Sequence, residues 1–120
     1  MADNNENGKS FAVIFEVQPH CEHYAEYLDI ATILKPELEK IDGFISIERF
    51  KSINKEGKIL SLSFWRDEKA IREWRNLTMH REAQIKGRKS IFRDYRIRVV
   101  NVVRDYGMFE REEAPKDSDY

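Results

Sequence analysis

The sequence predicts an α+β fold: a four-stranded antiparallel sheet built in the order β-α-β-β-α-β, with both helices on one face. Three observations predict it. Short runs of period-two alternation occur near residues 11–17, 58–65 and 95–103. Two longer runs, 21–41 and 67 to about 87, repeat their apolar residues at helical spacing. A polar turn, Asn54 to Gly57, separates two apolar stretches as a hairpin requires.

Taken in order, Phe11, Val13, Phe15 and Val17 alternate with Ala12, Ile14 and Glu16, which gives the first strand one strongly apolar face, and Pro19 ends it. From Cys21 to Ile41, Tyr24, Tyr27, Leu28, Ala31, Leu34, Leu38 and Ile41 form the stripe of an amphipathic helix. Pro36 within it removes a backbone donor and predicts a kink or a break. After Asp42-Gly43, Phe44 to Ile53 reads as the second strand and Lys58 to Trp65 as the third. Asp67 is placed to cap a second helix striped by Ala70, Ile71, Trp74 and Leu77, continuing from Thr78 to a stop near Gly87. Tyr95 to Val103 completes the sheet as a long fourth strand. This order is that of the ferredoxin-like fold, the split βαβ arrangement.

At 120 residues, 41% hydrophobic and 12% aromatic, the chain has material for one packed core. The organisation expected is a disordered segment at 1–9, one domain over 10–107, and an acidic flexible tail over 108–120. Charged residues make up 36% of the chain but nearly cancel to −1, so no nucleic-acid partner is expected. That balance hides a basic middle, Arg66 to Arg104, which reads either as an anion-binding surface or as solvated helix faces. A single cysteine, Cys21, cannot form an internal disulfide, which fits a reducing, cytoplasmic setting. Met1 to Ser10 has no apolar core of a signal, and no run of roughly 18 apolar residues occurs, so no membrane association is expected.

The sheet's second face bears on assembly. Ile14 or Phe15 in the first strand, Leu60, Leu62 and Phe64 or Ile59 and Trp65 in the third, and Val100 and Val102 or Ile97 and Val99 in the fourth make both faces apolar. Two helices cover only one of them. Sheet-to-sheet homodimerisation, burying about 1,600 Å² or more, is the expected cover for the other.

The stretch W-R-N-L-T-M-H-R-E-A-Q-I-K-G-R from Trp74, the stretch F-R-D-Y-R-I-R-V-V-N-V-V-R-D-Y-G from Phe92, and the Phe64-Trp65 strand end resemble the antibiotic biosynthesis monooxygenase family of dimeric ferredoxin-like α/β-barrel proteins. The resemblance covers roughly Phe11 to Gly107. It implies a cavity in each subunit between sheet and helices. It also implies oxidation of a small phenol, quinol or anthrone by molecular oxygen, with no metal, flavin or haem cofactor. Such a site needs a base, donors for an oxyanion and an apolar or aromatic wall.

His80, six positions after Trp74, is the candidate base, because an imidazole titrates near neutral pH; a helix-capping or surface role is the alternative. Trp74 is the second candidate catalytic residue. Trp65 and Tyr95 are candidates to stack on a flat substrate, Arg75 to hold its anion and Asn101 to donate a hydrogen bond, against plainer roles in core, salt bridges and dimer contacts. Arg81 and Arg88 share the alternatives of Arg75. The pair Cys21 and His23, with His20 beside it, has too few donors for a metal site.

Two other functions remain open in the sequence. A haem-degrading branch of the fold uses a strand-one asparagine, a helix-two tryptophan and a later histidine. Trp74 matches, but the histidine place falls at Gln84 and Phe11 to Val17 contains no asparagine. A non-enzymatic dimer binding a small hydrophobic metabolite is the other. No phosphate-binding loop, Ser-His-Asp arrangement or paired zinc motif is present.

Overall fold

The structure, a computed structural model, describes residues 10–84 and 91–119, and side chains within them apart from those of 78–84. The expected segment 1–9 and the expected helix stop at Gly87 therefore lie outside the described residues. Strands β1 (Phe11–Pro19), β2 (Phe44–Lys51), β3 (Ile59–Trp65) and β4 (Phe92–Asn101) form one antiparallel sheet in the order β2-β3-β1-β4. Helix α1 (Tyr24–Glu39) follows a single 3-10 turn at Cys21–His23, and α2 (Glu68–Gln84) follows β3. The chain has the expected ferredoxin-like α+β architecture.

Local chemistry explains the boundaries. The Pro19 end of β1 is held by His20, whose N–H bonds the Ile91 carbonyl at 2.8 Å. Pro36 lies on the exposed side of α1 within a continuous helix, so the expected break does not occur. Gly43, at φ +99°, turns the chain from α1 into β2 and accepts the Arg66 N–H at 2.7 Å. At the hairpin, Ser52 Oγ accepts the Lys55 N–H at 3.0 Å and Gly57 takes φ +83°. Asp67 caps α2 as expected: its Oδ1 accepts the Ala70 N–H at 2.9 Å.

One strand differs from expectation. β4 begins at Phe92 rather than Tyr95 and ends at Asn101 rather than Val103. Its first residues are paired with Pro19 and Gln18 across an irregularity in β1, and they alternate poorly because β4 is an edge strand whose side chains are nearly all exposed. Beyond β4, residues 105–118 form no helix or strand but bond to one another around Arg111, which donates to the Gly107 and Ser118 carbonyls at 3.0 and 3.1 Å.

The register settles which face is which. Phe11, Val13, Phe15 and Val17 lie in line with Trp65, Ser63, Ser61 and Ile59 of β3 and with Asn101, Val99, Ile97 and Tyr95 of β4. This is the helix side. Val13 and Trp65 pack there with Leu38, Ala70 and Ile71, and Val17 and Ile59 pack with Tyr27 and Ile91. The opposite face carries Ile14, Leu60, Leu62, Phe64 and Val100 by the same alternation. Amid them Glu16 bonds Lys58 at 2.9 Å and Arg98 at 3.2 Å; the Lys58 ammonium, more than the Arg98 charge, holds its carboxyl below the usual range. The inner face of β3 is thus half serine while its outer face is leucine and phenylalanine, the reverse of a strand that keeps one side in water.

Candidate functional site

Between the helices and the sheet lies a cavity of about 770 Å³. Its roof is Ile30, Ala31, Leu34 and Leu38 of α1 with Ile71, Trp74 and Arg75 of α2; its floor includes Phe15, Ile47, Arg49, Ser61, Ile97 and Val99. The volume is in the range of pockets that enclose small organic molecules. Both helices present apolar stripes downward, yet α1 and α2 lie over β2 and β3 and leave the inner side of β4 open. Tyr95, at 56% exposure, marks that open side.

One wall is aromatic. Phe92 stands edge-to-face with Phe15, Tyr27 and Tyr95, at centroid distances of 6.3, 5.9 and 5.7 Å. Such T-shaped contacts are favourable for rings and leave flat faces available to a guest. Trp74 closes the other end and is backed by Trp65 at 6.1 Å.

The polar side chains of the cavity include Arg49, Ser61, Arg75, Arg93 and Asp94. Arg49 and Ser61 are register partners on β2 and β3, and both point into it. Tyr27 reaches down from α1; burial pushes its phenol up, offset in part by the charge and hydrogen bond of Arg49. The phenol is therefore protonated at neutral pH. Arg49 Nε is buried with no hydrogen-bond partner among the described residues, a condition that costs about 1–3 kcal/mol, and more for a charged group.

The residues singled out from sequence fall into three groups. Trp74, Arg75 and Tyr95 all line the cavity, so the structure brings these together. Trp65 does not: it is fully buried in the core, edge-to-face with Phe44 at 5.2 Å, and its Nε1–H donates to Ser63 Oγ at 2.8 Å. It stands behind Trp74, in the core role that was the alternative to stacking on a substrate. Asn101, exposed at the end of β4 opposite Phe11, also lies off the cavity lining. His80 belongs to α2, but its side chain lies outside the described residues, as do those of Arg81 and Gln84; Arg88 lies outside them altogether. His23 Nδ1 pairs with Glu26 at 2.9 Å, and among the described residues no three His, Cys, Asp or Glu side chains converge on a point that could hold a metal ion. No helix among them is long and apolar enough to cross a membrane.

Sequence reasoning missed Arg49, Tyr27 and Ser61 as site residues. The available signal was the serine pair in I-L-S-L-S-F-W: polar residues at every second position between Ile59 and Trp65 mark an inward face that is not simply core.

Comparison with known proteins agrees with this geometry. The chain is 52% identical over 92 residues to jasmonate monooxygenase ABM of Pyricularia oryzae, an alignment spanning 77% of this chain and 43% of that protein. It is 34% identical over 62 residues to the uncharacterized protein YqjZ of Bacillus subtilis, spanning 52% of this chain and 53% of that one. The chain thus matches about half the length of each of these relatives. Among solved structures, PA3566 from Pseudomonas aeruginosa has a TM-score of 0.63 at 12% identity, covering 77% of this chain and 92% of its own. The heme-degrader MhuD from Mycobacterium tuberculosis, with two hemes in its active site, has a TM-score of 0.64 at 15% identity, covering 81% and 99%. At such identities these structures share the fold alone. The sequence model described as Antibiotic biosynthesis monooxygenase matches residues 10–86, which takes in β1, both helices as far as described and the serine-lined strand beneath the cavity. By that match, the chain belongs to the antibiotic biosynthesis monooxygenase family.

Proposed function

We propose that this chain is a monooxygenase that oxidises a small hydrophobic, weakly acidic aromatic molecule with O2, without a metal, flavin or haem, as a cytoplasmic homodimer. The observation that carries the reading is the cavity itself, a chamber of about 770 Å³ with an aromatic wall, whose lining includes Arg49, Tyr27 and Ser61 together with Arg75, Arg93 and Asp94. Family membership and the relative named a monooxygenase support the reaction type.

In the proposed chemistry a base removes a proton from the activated carbon or hydroxyl of the substrate. The resulting anion passes one electron to O2, and the two radicals combine as a peroxide. Loss of water then converts the CH2 of an anthrone to C=O, so one O2 yields one ketone oxygen and one water, and the substrate supplies the electrons. Trp74, Phe92 and Tyr95 hold the flat ring, Arg75 stands at the cavity wall, and His80 is the proposed base.

Jasmonate, in the name of the Pyricularia oryzae relative, is a keto acid rather than an aromatic compound. Hydroxylating an unactivated C–H bond would require two electrons from outside, so the two substrate classes are separable by their need for a reductant. The homodimer reading rests on the outward Leu60, Leu62 and Phe64 of β3, flanked by Phe50 at 41% exposure and Val100 at 37%.

The test is oxygen uptake with a panel of quinols and anthrones, with jasmonate added both with and without a reductant, comparing the parent with His80→Ala. Uptake above buffer that falls in the variant supports the proposal. Uptake equal to buffer across the panel removes it in favour of a metabolite-binding dimer, and a haem titration with a Soret band would favour the haem reading.

A further inference from the structure

We propose that Arg49 is the anchor for a substrate carboxylate, so that the molecule entering this cavity is a carboxylic acid bound as its anion, with the apolar ring directed toward Trp74. The inference rests on the cavity being an enzyme's substrate site and deepens that reading by naming the anchoring group.

Arg49 is placed by the sheet. It stands opposite Ser61 on the inner side of β2, where alternation with Ile47 directs it under the helices. An arginine there is half-buried and takes its Nε out of water, at a cost that hydrogen bonds must offset. Tyr27 offsets part of it. Nε is left buried without a partner, while no carboxylate among the described residues bonds the guanidinium. Asp94 is the one acidic side chain of the described lining, and it belongs to the exposed β4 edge.

The chemistry of this guanidinium points to a class of ligand. A guanidinium holds a carboxylate through two parallel N–H···O bonds, and the edge formed by its two terminal Nη groups can do so even where Nε is shielded. A carboxylic acid, with a pKa near 4, is already an anion at neutral pH, whereas a phenol near 10 is not. A permanent cation on the floor of a cavity whose described lining holds three arginines and one carboxylate therefore selects the carboxylate ligand in the ground state. Tyr27, neutral and accepting from Arg49, keeps its own proton to donate to the same group, and Ser61 is the nearby hydroxyl.

The experiment measures binding rather than turnover. Calorimetric titration of the parent with 2-naphthoate and with the neutral 2-naphthylmethanol should give the carboxylate an advantage of roughly 10- to 100-fold, the usual worth of hydrogen bonds to a charged group. In Arg49→Gln that ratio should fall to near one, and in Arg49→Lys, which keeps the charge but not the fork, it should fall partway. The parent comparison stands even if a variant fails to fold. An alcohol that binds as tightly as the acid, a ratio unchanged in Arg49→Gln, or no binding of naphthoate to the parent overturns the proposal. Carboxylate selectivity without oxygen uptake would keep the anchor and remove the oxygenase; uptake with neutral quinols and no carboxylate preference would do the reverse.

Discussion

Replacing Gly43 by alanine tests the junction that fixes α2 against the sheet, and with it the roof of the cavity. The backbone there has φ +99°, beyond the left-handed well near +57° that side chains tolerate best, and a Cβ would lie 2.8 Å from the Ala70 Cβ and 3.3 Å from Arg66 Nη2. Arg66 is the tip of a flexible side chain and can yield. Ala70, 1% exposed and on the first turn of α2, cannot move without moving the helix. The left-handed conformation costs about 1–2 kcal/mol and the overpacking about 1–3 kcal/mol, of which the stiffer unfolded chain with alanine offsets only about 0.4–1 kcal/mol. We expect a net loss of about 3 kcal/mol, or a Tm lower by roughly 12 °C or more. Chemical denaturation measures it. In an Ala70→Gly background the steric part disappears, so the same replacement should cost only about 1–2 kcal/mol. A loss under about 0.5 kcal/mol, or an equal loss in both backgrounds, would refute the described contact between Gly43 and α2.

Further substitutions at Ser63, Asp67 and Leu62 test a core hydrogen bond, a helix cap and the proposed assembly. Ser63→Ala strands the buried Trp65 Nε1–H and should cost about 1–3 kcal/mol by denaturant unfolding, a loss that shrinks when Trp65 is also phenylalanine. Asp67→Ala should cost about 1 kcal/mol of capping. The Ala70 N–H, and then Arg66, hold the Asp67 carboxyl below its usual range, so its stabilisation is complete above about pH 4 and is lost as pH falls through the lower folded value. Asp67→Asn should keep the cap and lose that acid dependence, as read from Tm against pH. Leu62→Asp, on the outward face of β3 opposite Ile14, should give a monomer in analytical ultracentrifugation where the parent is a dimer; a parent that sediments as a monomer contradicts the proposed assembly.

Much of the fold was legible because its signals are local. Period two in β1, the polar turn between β2 and β3, and the Asp67 cap each require only neighbouring residues. What the sequence left ambiguous was decided by pairing across distance. In β3 both Leu60-Leu62-Phe64 and Ile59-Trp65 could have been the inner set, and only the register with Val13 and Val17 selects the second. The start of β4 was obscured because an edge strand keeps its charges in solvent, so Arg93, Asp94 and Arg96 mask the pattern. The site was legible where a residue was aromatic and on a helix stripe, as Trp74 is. Arg49 was not, because I-E-R-F-K reads as an ordinary solvated strand until β2 is paired and its odd positions turn inward. Trp65 was ambiguous for the converse reason: indole chemistry suits a ligand wall as well as a core, and Ser63 satisfies its N–H within the core.

The most direct test of the central claim is isotopic. Purified protein, freed of metals by chelation, would be given an oxidisable anthrone under 18O2, and the product analysed by mass spectrometry. The account predicts one 18O atom in each product molecule, with one O2 consumed per substrate and no added reductant. Product oxygen drawn from water, or no consumption above the buffer rate, would contradict it.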